Sequence, residues 1–415
     1  MDFTISRFAP LPGHAATGPG SVGLPAGYRA AGIHAGIKRR RRDLGILVSD
    51  VPSVSAVFFT TNAAAAAPVL VTRESCDCTA LQAVVVNSGN ANASTGKTGY
   101  ADAERMRALA AAELALPIEN VAVSSTGVIG SPLPMDVIEP GIARCARTLA
   151  EDGGEKFAEA IRTTDRSDKQ LGLTVATKTG DVHIGFASKG AGMISPKMAT
   201  TLTFVTTDAA VPAGLWHEMM TMGVRESFNR ITVDGQESTN DMVLGFANGA
   251  SRARVGDVET ELLAQALQAG LLALALAVVA DGEGATVTVR LRVAGARDAG
   301  EAERAGRAVA NSPLVKAAVY GRDANWGRVI SAAGMTLPQD AAGRFAPDVS
   351  YGDVLLLRDG DPVELVPAQA ERLEAVLADA ELDIALDLHR GDATAAVYFS
   401  DLSHDYVRLN AGRRT

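Results

Sequence analysis

The segment PKMATTLTFVTTDA (residues 196–209) lies near the middle of the 415-residue chain and joins a proline and a lysine to a threonine-rich apolar run. It follows the loop KGAGMISP, in which two glycines leave the backbone conformationally free. Two interpretations are open. The segment is either a surface turn that leads into a strand, or a self-cleavage site at the Ala199-Thr200 bond that frees Thr200 as a nucleophile.

The second interpretation depends on the chemistry of an N-terminal threonine, which carries both a nucleophile and a base. A threonine hydroxyl is a weak nucleophile without a neighbouring base, and a free α-amino group, with a pKa of about 7.7–8.0, supplies that base on the same residue. Within a chain, the Thr200 hydroxyl would attack the Ala199 carbonyl, the C–N bond would break as the acyl group shifts from nitrogen to oxygen, and water would hydrolyse the resulting ester. A loop rich in glycine and proline, anchored to a strand, is a reasonable place to hold the distorted peptide that this step needs.

The composition is that of an ordered globular protein. Hydrophobic residues make up 47% and charged residues 21% of the sequence, and 415 residues favour two domains. The net charge of -9 argues against nucleic acid and anionic membranes as partners. The basic run KRRRR (residues 38–42) is predicted to be a solvated hairpin edge.

Targeting and redox features predict a cytoplasmic protein. The N-terminal sequence lacks the charged and apolar regions of a signal peptide, and three cysteines do not suffice for a disulfide framework. The longest apolar run, residues 269–280, is too short to cross a bilayer and predicts a buried helix.

The order of predicted elements favours an α+β fold. Residues 45–60 and 173–190 have strand patterns, the latter as a hairpin, whereas residues 102–116 and 259–280 have helical patterns. The regular strand–helix–strand spacing of a doubly wound fold is missing, so layered α+β architecture is expected. A shift in composition predicts a fold boundary near residue 285.

Common cofactor motifs are incomplete in this sequence. GAGMIS carries only the first two glycines of a dinucleotide loop, and no Gly-Lys-Ser/Thr phosphate loop is present. The six histidines have no metal-ligand spacing. We therefore expect neither a metal nor an organic cofactor.

Long motifs along the chain resemble the ornithine acetyltransferase (glutamate N-acetyltransferase) family of arginine biosynthesis, whose members are cut between the Ala and Thr of MAT. Besides KGAGMISPKMATTLTFVTTDA, the blocks that carry the resemblance are AAGIHAGIK, VVNSGNANASTG, SSTGVIG, STNDMVLGFANG, DGEGA, NSPLVKAAVYGRDANWGR and DLSHDYVRLN. They keep the family's order and cover nearly the whole chain.

The resemblance implies a role for individual residues. Thr200 matches the nucleophile and Ala199 the residue before the cut, while Thr126 and Gly127 match the oxyanion hole. The positions that match substrate-binding residues are Thr163, Lys189, Thr200, Glu283, Asn410 and Thr415.

The resemblance also implies an architecture and an assembly. A layered αββα core of the N-terminal-nucleophile type would be followed by a smaller α/β domain, with core 1–285 and second domain 286–415, whose tail returns to the site. Cleavage would yield an α chain (1–199) and a β chain (200–415) that reassociate as an α2β2 heterotetramer.

The implied reaction is a double displacement between small amino-acid substrates. Thr200 would take the acetyl group from N-acetylornithine and pass it to glutamate without a metal or organic cofactor. The family divides into members that use only this donor and members that also use acetyl-CoA, and the sequence leaves both open.

Four departures from the family pattern widen the alternatives. Arg166 replaces a threonine, Val287 a lysine, Ser94 a cysteine and Ala324 a proline. The departures leave open a specialised relative with a different acyl donor or acceptor in a secondary pathway. Two alternatives are independent of them: an amidohydrolase that transfers the acyl group to water, and a non-enzymatic binding protein.

Overall fold

The computed structural model describes residues 4–18, 20–195, 201–253, 255–338 and 345–412. Within these ranges the strands are β1 (Ala15–Gly18), β2 (Tyr28–Ile33), β3 (Leu44–Ser49), β4 (Val54–Phe59), β5 (Ala83–Asn90), β6 (Val121–Val128), β7 (Lys169–Thr177), β8 (Gly180–Lys189), β9 (Leu202–Thr207), β10 (Ile231–Thr232), β11 (Met242–Ala247), β12 (Thr288–Ala296), β13 (Asp348–Tyr351), β14 (Val354–Arg358), β15 (Asp361–Pro362), β16 (Glu381–Asp387) and β17 (Ala393–Ser400). The helices are α1 (Ala67–Ser75), α2 (Gly96–Leu114), α3 (Met135–Ala146), α4 (Gly154–Ala160), α5 (Ala213–Glu226), α6 (Asp257–Ala280), α7 (Ala299–Ala310), α8 (Pro313–Tyr320), α9 (Trp326–Gly334), α10 (Pro367–Ala378) and α11 (His404–Ala411).

Two sheets stack face to face at the centre of the molecule. The six-stranded sheet has the order β1-β7-β8-β9-β11-β4, and the four-stranded sheet has the order β2-β3-β5-β6. Their facing sides share one apolar cluster, which includes Phe204 and Phe246 from the first sheet and Val84 and Val86 from the second. The sandwich forms because successive side chains of a strand point to opposite faces, and here both faces are apolar.

Helices cover the outer faces of both sheets. The outer side of the six-stranded sheet packs on α5 and α6 through residues such as Trp216 and Leu271. The outer side of the four-stranded sheet packs on α2 and α3 through residues such as Met106 and Ile138. The order of layers is helix, sheet, sheet, helix, so the predicted α+β class with an αββα core is confirmed.

Helix α6 extends well beyond the apolar run seen in the sequence. It has 24 residues, and an 18-residue window within it has a mean hydropathy of 2.1, so the expectation that this segment is too short to span a bilayer holds for the apolar run and not for the helix. The helix lies in the core against the six-stranded sheet, with Gly270 in close contact with the ring of Phe186. It is built as a core helix.

A third sheet follows in the last part of the chain, with the order β10-β17-β12-β16-β13-β14-β15. Its apolar cluster begins with Val287 and includes residues from α7 and α9. The composition of EAERAGRAVANSPLVKAAVYG (residues 301–321) predicts one helical stretch, but α7 and α8 are separate. Pro313 lacks an N–H donor and starts the second helix, where the Ser312 side chain accepts a hydrogen bond from Val315 N (3.4 Å).

The short α4 crosses β2 at a distance that only glycine allows. A Cβ built on Gly32 would lie 1.9 Å from the carbonyl oxygen of Lys156, a backbone atom that cannot turn away. Gly214, in the first turn of α5, has no heavy atom within 4 Å of its virtual Cβ.

Gly32→Ala is therefore expected to destabilise the protein by at least about 1–3 kcal/mol, because α4 must move off the sheet. The control, Gly214→Ala, is expected to leave stability unchanged or raise it by up to about 1 kcal/mol, since alanine favours a helix over glycine. Thermal melting of both variants beside the unmodified protein measures the difference. Equal melting temperatures for all three would contradict the close packing of α4.

Candidate active site

A pocket of about 500 Å³ opens where the ends of β5, β6 and β8 meet loops from both halves of the chain. Six of the residues that the sequence singles out line it together: Thr126, Gly127, Thr163, Lys189, Glu283 and Asn410. The other three predicted site residues, Ala199, Thr200 and Thr415, lie outside the described residues. The fold thus gathers positions that are far apart in the sequence.

Thr126 and Gly127 stand at the end of β6, where the backbone leaves ordinary strand geometry. Gly127 has φ 135° and pairs with Gly89 of β5. A Cβ on Gly127 would lie 2.3 Å from the carbonyl carbon of Gly89, so the close approach of the two strands requires glycine here. Both Thr126 and Gly127 line the pocket.

The Thr126 hydroxyl is oriented by a buried lysine. Lys189 Nζ donates a hydrogen bond to Thr126 Oγ1 at 3.1 Å, and both side chains are more than nine-tenths buried. Because its oxygen accepts from the ammonium group, the hydroxyl can direct its own proton towards a developing negative charge. Burial lowers the pKa of Lys189, and the nearby carboxylates of Asp165, Asp241 and Glu283 oppose that shift.

Asp165 holds two walls of the pocket in place. Its carboxylate accepts from Thr163 N at 2.9 Å and from Gly190 N at 2.7 Å. It also accepts from Lys169 Nζ at 2.8 Å. Burial acts to raise the pKa of Asp165, but the charges of Lys169 and Lys189 outweigh it and hold the pKa well below its usual range.

The same network continues to the loop that carries Glu283. Lys169 Nζ donates to Asp281 Oδ2 at 2.6 Å, and Arg166 donates to Asp281 from its backbone N (3.0 Å) and its Nε (3.1 Å). Lys169 is 1% exposed, so one buried ammonium joins two carboxylates. The family resemblance singles out Thr163, the first residue of the segment TTD (residues 163–165), but not Asp165, its last residue.

The opposite wall is acidic and includes the C-terminal helix. Glu283 Oε2 accepts a hydrogen bond from Asn410 Nδ2 at 2.9 Å. Helix α11 is fixed by Ser403, whose hydroxyl donates to Gly284 O (2.6 Å) and accepts from Tyr406 N (3.3 Å). The end of the described chain therefore lies against the pocket and does not extend away as a frayed tail.

The described residues on either side of the predicted cleavage site are fixed near Lys189. Upstream, Met193 N and Ile194 N donate to the carboxylate of Asp234 at 2.7 and 3.0 Å. Downstream, Met242 N donates to Thr201 O at 3.0 Å, and β9 pairs with β8 in the register Lys189↔Leu202.

Two departures from the family pattern lie away from the pocket lining. Val287 is buried in the apolar cluster of the third sheet, where its N donates to Asp401 Oδ1 at 3.1 Å. Arg166 is mostly exposed and pairs with Asp281. Neither side chain is among those that line the pocket in the part of the chain that the structure describes.

Asp165→Asn keeps the side-chain shape but removes the charge that balances Lys169. We expect a loss of about 3–5 kcal/mol in stability, as is typical when one partner of a buried ion pair is removed. Because the pKa of Asp165 is lowered by folding, its contribution is complete above about pH 4 and is lost as the pH falls further.

Denaturant or thermal unfolding at pH 7 and at about pH 2–3 measures both effects, and the difference between variant and parent should shrink on acidification. Asp50→Asn, which breaks the exposed pair with Arg29 (2.6 Å), is the control and should cost less than about 1 kcal/mol. Similar losses for the two variants would show that the buried network contributes no more than a surface pair.

Comparison with known proteins gives a consistent assignment. The model of the ArgJ family matches residues 29–415. The arginine biosynthesis bifunctional protein ArgJ of Symbiobacterium thermophilum is 46% identical over 95% of this chain and 99% of its own length. That of Desulfotalea psychrophila is 44% identical over 94% of this chain and 99% of its own length.

Among solved structures, ArgJ of Bacillus halodurans is 46% identical, with 45% of this chain and 98% of that chain covered and a TM-score of 0.42. Ornithine acetyltransferase of Mycobacterium tuberculosis, solved in complex with ornithine, is 39% identical, with 45% of this chain and 100% of that chain covered and a TM-score of 0.42.

The resemblance inferred from the sequence motifs is therefore confirmed at the level of the family and of the enzyme class. The family match extends over more than half of the chain, and the relatives align along nearly their whole length. This chain belongs to the ArgJ family of acetyltransferases, enzymes of arginine biosynthesis.

Proposed function

We propose that the chain cleaves itself between Ala199 and Thr200 and then transfers an acetyl group from N-acetylornithine to glutamate through an ester on Thr200. The observation that carries this proposal is the contact of Lys189 with Thr126 beside Gly127. A hydroxyl and a backbone N–H at the end of β6, in a pocket next to the start of β9, form a site for a tetrahedral oxyanion.

In the first half of the reaction, the Thr200 hydroxyl oxygen attacks the acetyl carbon of N-acetylornithine. The α-amino group of Thr200 takes the hydroxyl proton, and the negative charge moves to the acetyl oxygen beside Thr126 and Gly127. One such donor typically contributes about 3–4 kcal/mol to the transition state. The C–N bond then breaks, the proton passes to the leaving amine, and ornithine departs.

In the second half, the amino group of glutamate attacks the ester carbon. The C–O bond to Thr200 breaks, the hydroxyl regains a proton, and N-acetylglutamate leaves. Thr126 and Gly127 serve both oxyanions, because both intermediates have their negative charge on the same acetyl oxygen.

Charged groups in the pocket suit amino-acid substrates. The Lys189 ammonium can bind an α-carboxylate, and the carboxylate of Glu283 can bind an ammonium group of ornithine. Thr163, Asn410 and Thr415 would complete the substrate contacts.

We also propose that the two fragments stay together after cleavage and pair as an α2β2 heterotetramer in the cytoplasm. In the six-stranded sheet, β8 pairs with β9 and β4 pairs with β11, so the two strands from residues 200–415 lie between strands from residues 1–199. Dissociation would expose the edges of both pairs to water. The proposed fold boundary near residue 285 is supported by the separate apolar cluster that begins at Val287.

Replacement of Thr200 tests cleavage and acyl transfer together. On a denaturing gel, the unmodified protein is expected to give two fragments of similar size, since residue 199 lies near mid-chain. Thr200→Ala should give one full-length band and no acetyl transfer, because the attacking oxygen is gone. Thr200→Ser, which keeps the hydroxyl, should still be cut.

Intact mass after incubation with N-acetylornithine should show one added acetyl group on the fragment that begins at Thr200. A Thr200→Ala protein that is still cleaved would refute the assignment of the nucleophile. Release of acetate without acetylglutamate, when both substrates are present, would point to an amidohydrolase instead.

The oxyanion role of Thr126 has its own test. Thr126→Val preserves shape but removes the hydroxyl, and we expect kcat to fall by roughly 100- to 1,000-fold. Thr221→Val, on the exposed side of α5, is the control and should keep its activity. Steady-state rates of correctly cleaved protein measure the effect, and an unchanged kcat for Thr126→Val would exclude the hydroxyl from the oxyanion hole.

A further inference from the structure

The basic run at residues 38–42 is divided between the surface and the pocket. It lies in the loop that joins β2 to β3, and Arg39, Arg40 and Arg41 are exposed, as the predicted solvated edge requires. Lys38 is different: it is half-buried and lines the pocket together with Thr126 and Gly127. In the sequence, Lys38 is the last residue of the motif AAGIHAGIK.

Packing on glycine guides the Lys38 side chain into the pocket. Gly89 has φ 101°, and its virtual Cβ would lie 2.7 Å from Lys38 Cγ. The lysine stem therefore runs across the bare backbone of Gly89, the residue that pairs with Gly127. A side chain at position 89 would push Lys38 away from Thr126 and Gly127.

The Lys38 ammonium group has hydrogen-bonding capacity to spare. Nζ donates to Arg162 O at 3.0 Å, directly before Thr163. Among the described residues, this is its one hydrogen bond, and no carboxylate oxygen lies within 4.0 Å of it. An ammonium group has three donors, so two are left for a ligand. Burial lowers the pKa of Lys38 to about 8, which an anion beside it would reverse.

The two ends of the pocket differ in charge. The Glu283 carboxylate accepts a hydrogen bond from Asn410 of α11, whereas Lys38 Nζ donates to Arg162 O and its stem lies on Gly89 of β5. The Arg162 guanidinium is itself paired with Asp168 at 2.6 Å. Lys38 thus provides a positive charge in a part of the pocket away from Glu283.

This separation bears on how one pocket accepts two substrates of opposite side-chain charge. Ornithine ends in an ammonium group, which Glu283 attracts, and glutamate ends in a carboxylate, which Glu283 repels. Like charges in contact are destabilising, so the glutamate side chain cannot use the same distal contact. It needs a cation elsewhere in the pocket.

We propose that Lys38 is a specificity-determining residue that binds the side-chain carboxylate of the dicarboxylic acyl acceptor, while Glu283 serves the ammonium end of the donor product. This inference rests on the proposed acetyl transfer to glutamate. The side-chain carboxylate of the acceptor then binds at the loop between β2 and β3, which carries Lys38.

Lys38→Met in the full-length, self-processed protein tests the assignment, because methionine keeps an unbranched apolar stem and removes the charge. Calorimetric titration with glutamate and with ornithine gives the two affinities. The ratio of glutamate to ornithine affinity is expected to fall by about 10- to 100-fold, the usual worth of a hydrogen bond to a charged group. KM for glutamate should rise more than KM for glutamine, its uncharged counterpart.

Two further variants complete the design. Lys38→Arg retains the charge and should recover most of the selectivity, whereas Arg39→Met, at the exposed neighbouring position, should behave like the unmodified protein. If Lys38→Met does not fold, Lys38→Gln takes its place.

Three results would overturn the proposal: an unchanged affinity ratio, an equal loss for both amino acids, or a loss confined to a phosphate-bearing donor such as acetyl-CoA. A different measurement tests the proposed function itself. If that function is wrong, the intact mass of the unmodified protein will show no acetyl group on the fragment that begins at Thr200.

Discussion

The buried carboxylate of Asp165 is the interaction on which the pocket depends. It binds Thr163 N, Gly190 N and Lys169 Nζ, and Lys169 in turn binds Asp281, two residues before Glu283. Three loops that are distant in sequence are therefore positioned by one group of charges. Such a network is costly to bury, and it is tolerated because each charge has a partner of opposite sign and several hydrogen bonds. Rigid placement of Lys189 next to Thr126 follows from this arrangement, since Lys189 directly precedes Gly190.

Much of the architecture could be predicted from the sequence, because runs such as Val84–Val86 and the helix before Ala280 have strong apolar patterns. Helix α6 begins at Asp257, two residues before the helical pattern predicted over 259–280. Another helix boundary was less accessible. The separation of α7 from α8 could have been found from Ser312-Pro313, a capping residue followed by a residue that favours the first helical position.

The site was predicted mainly through family motifs, and its supporting groups were not. Thr126 and Gly127 alone look like an ordinary turn, since the close approach of Gly89 that gives them their geometry comes from a different strand. Asp165 shows no signal beyond its place in TTD, because Gly190, whose N–H it accepts, is distant in sequence. Lys38 was interpreted as part of a solvated basic run because four arginines follow it. Its place at the end of AAGIHAGIK was the signal that could have distinguished it.

The interleaving of strands in the six-stranded sheet has a consequence for maturation. Thr126, Lys189 and the residues around Thr201 meet only after β8 and β9 have paired and the second sheet has packed against them. Under the proposed self-cleavage, a chain that has not reached this state lacks the groups that would polarise the scissile bond. Processing would then depend on correct assembly. A misassembled copy would keep its Ala199–Thr200 bond, would gain no free α-amino group at Thr200, and would not transfer acetyl groups.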